Sequence, residues 1–187
     1  MEVVGKGGVW ASVAPGAVGG VKCWSVKVHK YLNRAWSQGV GIGVIGVADA
    51  GEIKDAVSSG CWSGGGSFCH ATGYGWTSSD GWHMYGSYVY AAGEASRYGN
   101  SLTYAERIMD HDSWPAGGWL DGDEACLKVD CGAGTVSLRH RRHGKTFTLG
   151  GLDGTVAEWF PHVCMFDKGN SVEVQPLSTA AFDAFLQ

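Results

Sequence analysis

The chain has 187 residues, enough for one domain of ordinary size, and 44% of them are apolar, enough to build a core. Charged residues make up only 17% and the net charge is −4, which removes the electrostatic footprint expected of a nucleic-acid or anionic-membrane binder. Glycine is the outlier at 31 residues, but only 4 prolines accompany it and no Gly-X-Y period runs through it, which excludes collagen; 9 Trp, 7 Tyr and 6 Phe argue against disorder.

Residues 1–10 (MEVVGKGGVW) lack the basic-then-apolar layout of a secretory signal. The apolar period along the chain is two. In residues 23–28 (CWSVKV), Trp24, Val26 and Val28 alternate with Cys23, Ser25 and Lys27, the pattern of a half-buried strand. Residues 40–47 are apolar on both parities and read as a central strand buried on both faces. Gly41, Gly43 and Gly46 would sit where another layer comes close. The longest apolar run, residues 40–48, is far short of the ~20 needed to span a bilayer as a helix.

Two stretches break the strand rhythm and read as long loops: residues 48–81, containing CWSGGGSFCHATGYGW, and residues 95–122, containing HDSWPAGGWLDG. Within the second, residues 102–109 (LTYAERIM) suit two helical turns. Alternation returns in residues 125–131 (ACLKVDC) and 135–140 (TVSLRH), linked by Cys131-Gly-Ala-Gly134, which supplies glycines for a tight hairpin. Val172-Glu-Val174 is a closing strand. Residues 178–186 (STAAFDAFL) read as a short helix with Ser178 as N-cap and Phe182, Phe185 and Leu186 on one side. Many short strands, Gly-rich turns and little helix predict an antiparallel sandwich or barrel. The core is expected to hold Trp24, Val26, Val28, Ile42, Val44, Leu127, Val129, Val136, Leu138 and Val163.

Several groups carry residue types used in chemistry, and each has a plainer explanation. Cys61 and Cys69-His70 are spaced too widely for a zinc pair, and Cys126 and Cys131 lie on a strand and its turn facing different ways. Asp110-His111-Asp112-Ser113 holds triad residue types, but side chains this close in sequence rarely converge as nucleophile and base, and no Gly-x-Ser-x-Gly elbow occurs. Asp121, Asp123 and Glu124 sit at a loop-to-strand junction and read as solvated acids. Gly64-Gly65-Gly66 lacks the Lys-Ser/Thr of a phosphate loop. Arg139-His-Arg-Arg142-His143 is the one basic cluster and reads as a hairpin tip exposed to water. No catalytic, metal or cofactor site is expected. The six cysteines are too few and scattered for a disulfide scaffold and are expected to be mostly free thiols, placing the chain inside the cell, in the cytoplasm.

The order of motifs resembles the SPRY domain, the core of the B30.2 module. The family's Trp-Glu-Val strand corresponds to Cys23-Trp24-Ser25-Val26 and its apolar Gly-Val strand to residues 39–44 (GVGIGV). The Ser-Trp and Leu-Tyr strands are similar to residues 81–93 (GWHMYGSYVYAAG), and the Leu-Asp-x-Gly-Thr-Leu-Ser hairpin to residues 123–138. The Leu-Tyr-Pro-Ala-Val-Ser strand is similar to Trp159-Phe-Pro161-His-Val163-Cys164. The match runs over residues 8–176, so the whole chain, 1–187, is expected to be a single domain ending in a short helix or tail at 177–187.

The resemblance implies an all-β fold, a bent antiparallel sandwich of two sheets of the concanavalin-like jelly-roll type, with long loops and little helix. It implies a non-catalytic protein-interaction module that holds a peptide or protein surface on edge loops, as a target-recognition part of a larger assembly. The contacts transfer to residues 29–37, Tyr90 and 165–168, with residues 48–81 as a wall. Within these, Tyr31, Asn33, Arg34, Trp36, Tyr90, Met165, Phe166 and Asp167 are the expected binding residues. Aromatics and Arg suit hot spots because they offer area and a polar tip at low entropy cost. Plainer roles exist: a solvated hairpin loop for 29–37, a core strand ending at Phe166, ordinary strand residues for Tyr88 and Tyr90. The alternative function is a carbohydrate-binding, lectin-like sandwich in which tryptophans stack on sugar rings. Neither reading calls for nucleic acid or a membrane, and oligomeric state is left open.

Overall fold

The computed structural model describes residues 2–4, 9–12, 17–31, 40–47, 73–77, 80–81, 84–85, 88–91, 94–97, 119–165 and 169–187. The strands are β1 (Glu2–Val4), β2 (Val9–Ser12), β3 (Val21–Lys30), β4 (Val40–Val47), β5 (Gly73–Thr77), β6 (Asp80–Gly81) and β7 (Met84–Tyr85). They continue with β8 (Tyr88–Ala91), β9 (Glu94–Arg97), β10 (Glu124–Asp130), β11 (Thr135–His140), β12 (Lys145–Gly150), β13 (Glu158–Met165) and β14 (Ser171–Leu177). One short helix, α1 (Thr179–Ala184), follows. Two six-stranded sheets form, in the orders β1-β14-β3-β10-β11-β12 and β2-β13-β4-β5-β8-β9, and every pairing is antiparallel.

The period-two reading places the core correctly. All ten predicted side chains, from Trp24 to Val163, are buried in one cluster between the sheets. The hairpin joining β10 to β11 pairs Asp130 with Thr135, and Gly134 adopts the positive φ of 63° that its turn requires. β4 is buried from Val40 to Gly46, between β13 and β5. The close approach at Gly43 comes from within its own sheet: an added Cβ would lie 2.0 Å from the Tyr74 carbonyl oxygen on β5. At Gly46 it would meet the Val156 and Trp159 side chains.

The long loops need correction. Residues 48–81 are not one loop, because β5 and β6 lie inside them. β5 contributes the buried Tyr74 and Trp76 to the second sheet; Trp82 lies outside the described residues. The alternation Gly73-Tyr74-Gly75-Trp76 carried that strand, hidden by its glycines. Residues 95–122 likewise begin within β9 and end in the buried Trp119. The helix expected at 102–109 lies outside the described residues.

The outward parity of the first sheet is not all solvated. Cys23 on β3 and Cys126 on β10 form a second small core with Phe182 of α1, flanked by Leu177 and Phe185. Ser178 caps the helix by accepting the Ala181 N–H at 3.2 Å. Arg139 ties down its far end, donating to the carbonyls of Phe182 and Asp183 at 2.5 and 2.7 Å, and its guanidinium lies 4.5 Å from the Phe182 ring centre.

Candidate functional edge

One end of the sandwich gathers the segments of interest. β13 ends at Met165 and β14 begins at Ser171, so residues 166–170 cross between sheets there. Met165 faces Val40, the start of β4, and Ser171 faces Lys30, the end of β3. Residues 31–39 therefore leave and return at the end where 166–170 cross. Segment 119–123, which leads into β10, and the turn 141–144 between β11 and β12 stand at that same end.

Of the predicted binding residues, Asn33, Arg34, Trp36, Phe166 and Asp167 lie outside the described residues. Tyr31 is half-buried and packs against the main core. Tyr90 sits on β8, its backbone between Gly75 of β5 and Ala95 of β9. Met165 is corrected: its side chain is 0% exposed within the core, so it presents no surface to a partner. Of the wall expected from residues 48–81, residues 48–72 and 78–79 lie outside the described residues. Segment 48–72 departs at Val47, paired with Glu158, and rejoins at Gly73, paired with Ile45, the end opposite Val40 and Met165.

The acids and bases read as solvated are a built network. Asp123, with a side chain 3% exposed, accepts both Nε and Nη2 of Arg142 at 2.7 and 2.9 Å and the Leu120 N–H at 2.7 Å. His140 Nε2 stands 3.3 Å from the same carboxylate. Burial alone would raise the Asp123 pKa, but the hydrogen bonds from His140, Arg142 and the Leu120 amide outweigh it and hold the carboxyl well below the usual range. His140 is buried between the Trp119 and His143 rings, at centroid distances of 4.9 and 4.4 Å, and the Trp119 indole donates to the Trp76 carbonyl. Arg141 pairs with Glu124 at 3.2 Å and lies over the Phe185 ring. The basic run does form a hairpin tip with Arg141 and Arg142 exposed, but Arg139, Arg141 and Arg142 each also hold a neighbouring element. Parity carried the signal: His140 shares the buried face of β11 with Val136 and Leu138, and a buried imidazole needs a polar partner.

Next to this buried knot sits a more exposed carboxylate. Asp121 accepts Lys30 Nζ at 2.9 Å and also the backbone N–H of Tyr31. Those bonds lower its pKa, the Lys30 bond contributing most. Backbone bonds from Gly122 N–H to the Val28 carbonyl and from Val28 N–H to the Asp123 carbonyl stitch the same segment to β3. Asp121, Gly122, Asp123, Glu124, Arg141 and Arg142 line a cleft of 330 Å³ beside it.

Burial dominates the shifts of several other titrating groups among the described residues. Burial pushes the Cys126 thiol up to about 12 and raises Cys23 and Cys131, which disfavours their thiolates. Burial lowers His162 to about 3, which keeps its imidazole neutral. Among the described residues no group of three or more His, Cys, Asp or Glu could hold a metal ion, and no helix is long and apolar enough to cross a membrane. Cys61, Cys69, His70 and the 110–113 run lie outside the described residues.

No family model and no curated protein matches the sequence. Solved structures do. The chain is similar to the SPRY domain of human HERC1, with a TM-score of 0.52 and 17% identity, covering 93% of this chain and 86% of that one. It is also similar to the TRIM65 PSpry domain, with a TM-score of 0.52 and 12% identity, covering 89% and 70%. The class of fold is therefore a SPRY-type β-sandwich, as the motif order implied.

Proposed function

We propose that the chain is a protein-interaction module that captures a peptide or a protein surface on the end of the sandwich where residues 31–39 and 166–168 come together. The observation that carries this reading is the register: Val40 opposite Met165 and Lys30 opposite Ser171 bring the bases of both segments to one end. The SPRY-type fold supports it, since loops held on a rigid sandwich are where such scaffolds put recognition. Phe166 and Trp36 are the proposed apolar anchors, with Asn33, Arg34 and Asp167 fixing register and Tyr90 on the flank. The domain acts by binding rather than catalysis, as the recognition part of a larger assembly. Cys23, Cys126, Cys131 and Cys164 are free, which suits a reducing, cytoplasmic setting.

The test is selection from a displayed random-peptide library on the immobilised domain, followed by affinity measurement with the selected peptide. Truncating a central anchor typically costs about 2 kcal/mol, roughly 30-fold in affinity. Phe166→Ala and Trp36→Ala should show that loss with the melting temperature unchanged, while Val18→Ser, an exposed residue at the opposite end, should bind normally. Loss on Val18→Ser with no effect of the anchor changes places the site elsewhere.

A further inference from the structure

The other end of the sandwich, where β10 runs into its hairpin with β11, holds an apolar pocket of 220 Å³. Its buried lining is Trp159 and Leu152, and the half-buried Val156 and Cys131 line it nearer the surface. Gly19 and Gly154 complete it without side chains, and a Cβ built on either would meet no atom within 4 Å. Backbone bonds fix the lining. Ala17 and Trp159 exchange N–H and carbonyl bonds at 2.6 and 2.9 Å, the Cys131 N–H reaches the Gly20 carbonyl at 2.9 Å, and the Leu152 N–H reaches the Gly134 carbonyl at 3.1 Å. The Trp159 ring is held edge-on to Tyr74 at a centroid distance of 5.6 Å. One charged side chain lines the pocket among the described residues, the exposed Asp153. Its Oδ1 accepts both the N–H and the hydroxyl of Thr155, at 2.8 and 2.7 Å, and among the described residues nothing bonds its Oδ2. Those two bonds, the N–H first, lower its pKa, so the carboxylate is charged at neutral pH.

We propose that this pocket binds a small hydrophobic amine: one compact apolar group of ring size, carrying a cationic nitrogen that meets Asp153. A cavity of about 150 Å³ already holds a benzene ring, so 220 Å³ takes one ring with a short arm. Burial of the ring against Trp159, Leu152 and Val156 supplies the favourable term, and a single polar group at the rim sets orientation, the usual division in small-ligand sites. The charge of Asp153 decides the sign of the ligand: a carboxylate in the same place would face a like charge. An indole in the wall also favours a cation over an anion. The site shares no residue with the docking end, so it stands whether or not a peptide docks there.

The experiment titrates the domain calorimetrically with 2-phenylethylammonium, with 3-phenylpropionate, which pairs the same ring with the opposite charge, and with ethylammonium, which lacks the ring. Saturable binding of the first is expected, with the other two about tenfold weaker or undetected. Gly154→Leu points a side chain into the open space from a backbone conformation that side chains adopt, and should abolish binding with the melting temperature unchanged. Asp153→Asn keeps an acceptor for Thr155 and loses the charge, and should cost the amine about threefold to fivefold while narrowing its lead over the anion. Alkylation of Cys131, followed by peptide mass mapping, should slow in saturating amine; it locates the ligand in the parent protein and decides the matter if Gly154→Leu fails to fold. No saturable binding, equal affinity for cation and anion, unchanged affinity in folded Gly154→Leu, or unslowed alkylation of Cys131 each overturns the proposal.

Discussion

Replacing Asp123 by alanine tests whether the polar network around segment 119–123 holds the fold together. The substitution removes a carboxylate that accepts three hydrogen bonds, two from Arg142 and one from the Leu120 amide, and that lies 3.3 Å from His140. Removing one partner of a buried ion pair costs about 3–5 kcal/mol, because the remaining group is left desolvated. Arg142 is about one-third exposed and can recover water, whereas His140 and the Leu120 amide recover less, so the lower end applies, about 3 kcal/mol. For a domain of this size each kcal/mol moves the melting temperature by about 2–4 °C, giving a fall of about 6–12 °C. The pH dependence gives a second reading of the same bond. The folded Asp123 carboxyl has a pKa below its unfolded value, so its stabilisation is full above the unfolded pKa of about 3.9 and disappears as pH falls through the folded one. The stability gap between the parent and Asp123→Asn should therefore be constant from pH 7 to about 5 and narrow below about pH 4. Urea unfolding followed by tryptophan fluorescence across that range measures it. A loss under about 1 kcal/mol for Asp123→Ala, or a gap that does not narrow in acid, would refute the assignment of the network as structural.

Three further changes probe the packing on either side of the sheets. Gly43→Ala forces a methyl to 2.0 Å from the Tyr74 carbonyl and 2.5 Å from Gly75 Cα, both backbone atoms of a central strand, so β4 and β5 must separate; expression as insoluble protein, or a loss above about 4 kcal/mol in denaturant, is expected. Phe182→Ala empties the small core over Cys23 and Cys126 and should cost about 3 kcal/mol, while Arg139→Ala removes two bonds to the end of α1 and should cost less; in both, protease cleavage within residues 178–187 should speed up before the sheets unfold.

Side-chain parity is what the sequence states most clearly. A strand with one face in the core cannot shift by a single residue without exposing its apolar set. Trp24, Val26 and Val28 therefore announce β3, and Leu127, Val129, Val136 and Leu138 announce the hairpin that follows. Where glycine occupies the alternate positions, as around Tyr74 and Trp76, the pattern thins to two aromatics and the strand is lost among loop residues. Polar contacts between distant segments were not legible. Asp123 and Arg142 are 19 residues apart and meet only because β10 and β11 pair; read singly, each is an ordinary surface charge. The same holds for Met165, which looked like the first residue of an edge loop and is the last residue of a core strand.

This difference between parity and pairing bears on how such a sandwich can share only 12–17% identity with SPRY domains and still have their fold. Inner-face positions ask only for apolar residues of suitable volume on alternate positions, a requirement many sequences meet. The ends ask for particular partners. Segment 119–123 shows how few residues that takes: one buried carboxylate binds the segment to β11 and the turn that follows it, and a second, two residues earlier, binds it to the exit of β3. Gly122 between them, at a φ of 81°, lets the backbone turn so that both carboxylates reach their separate partners.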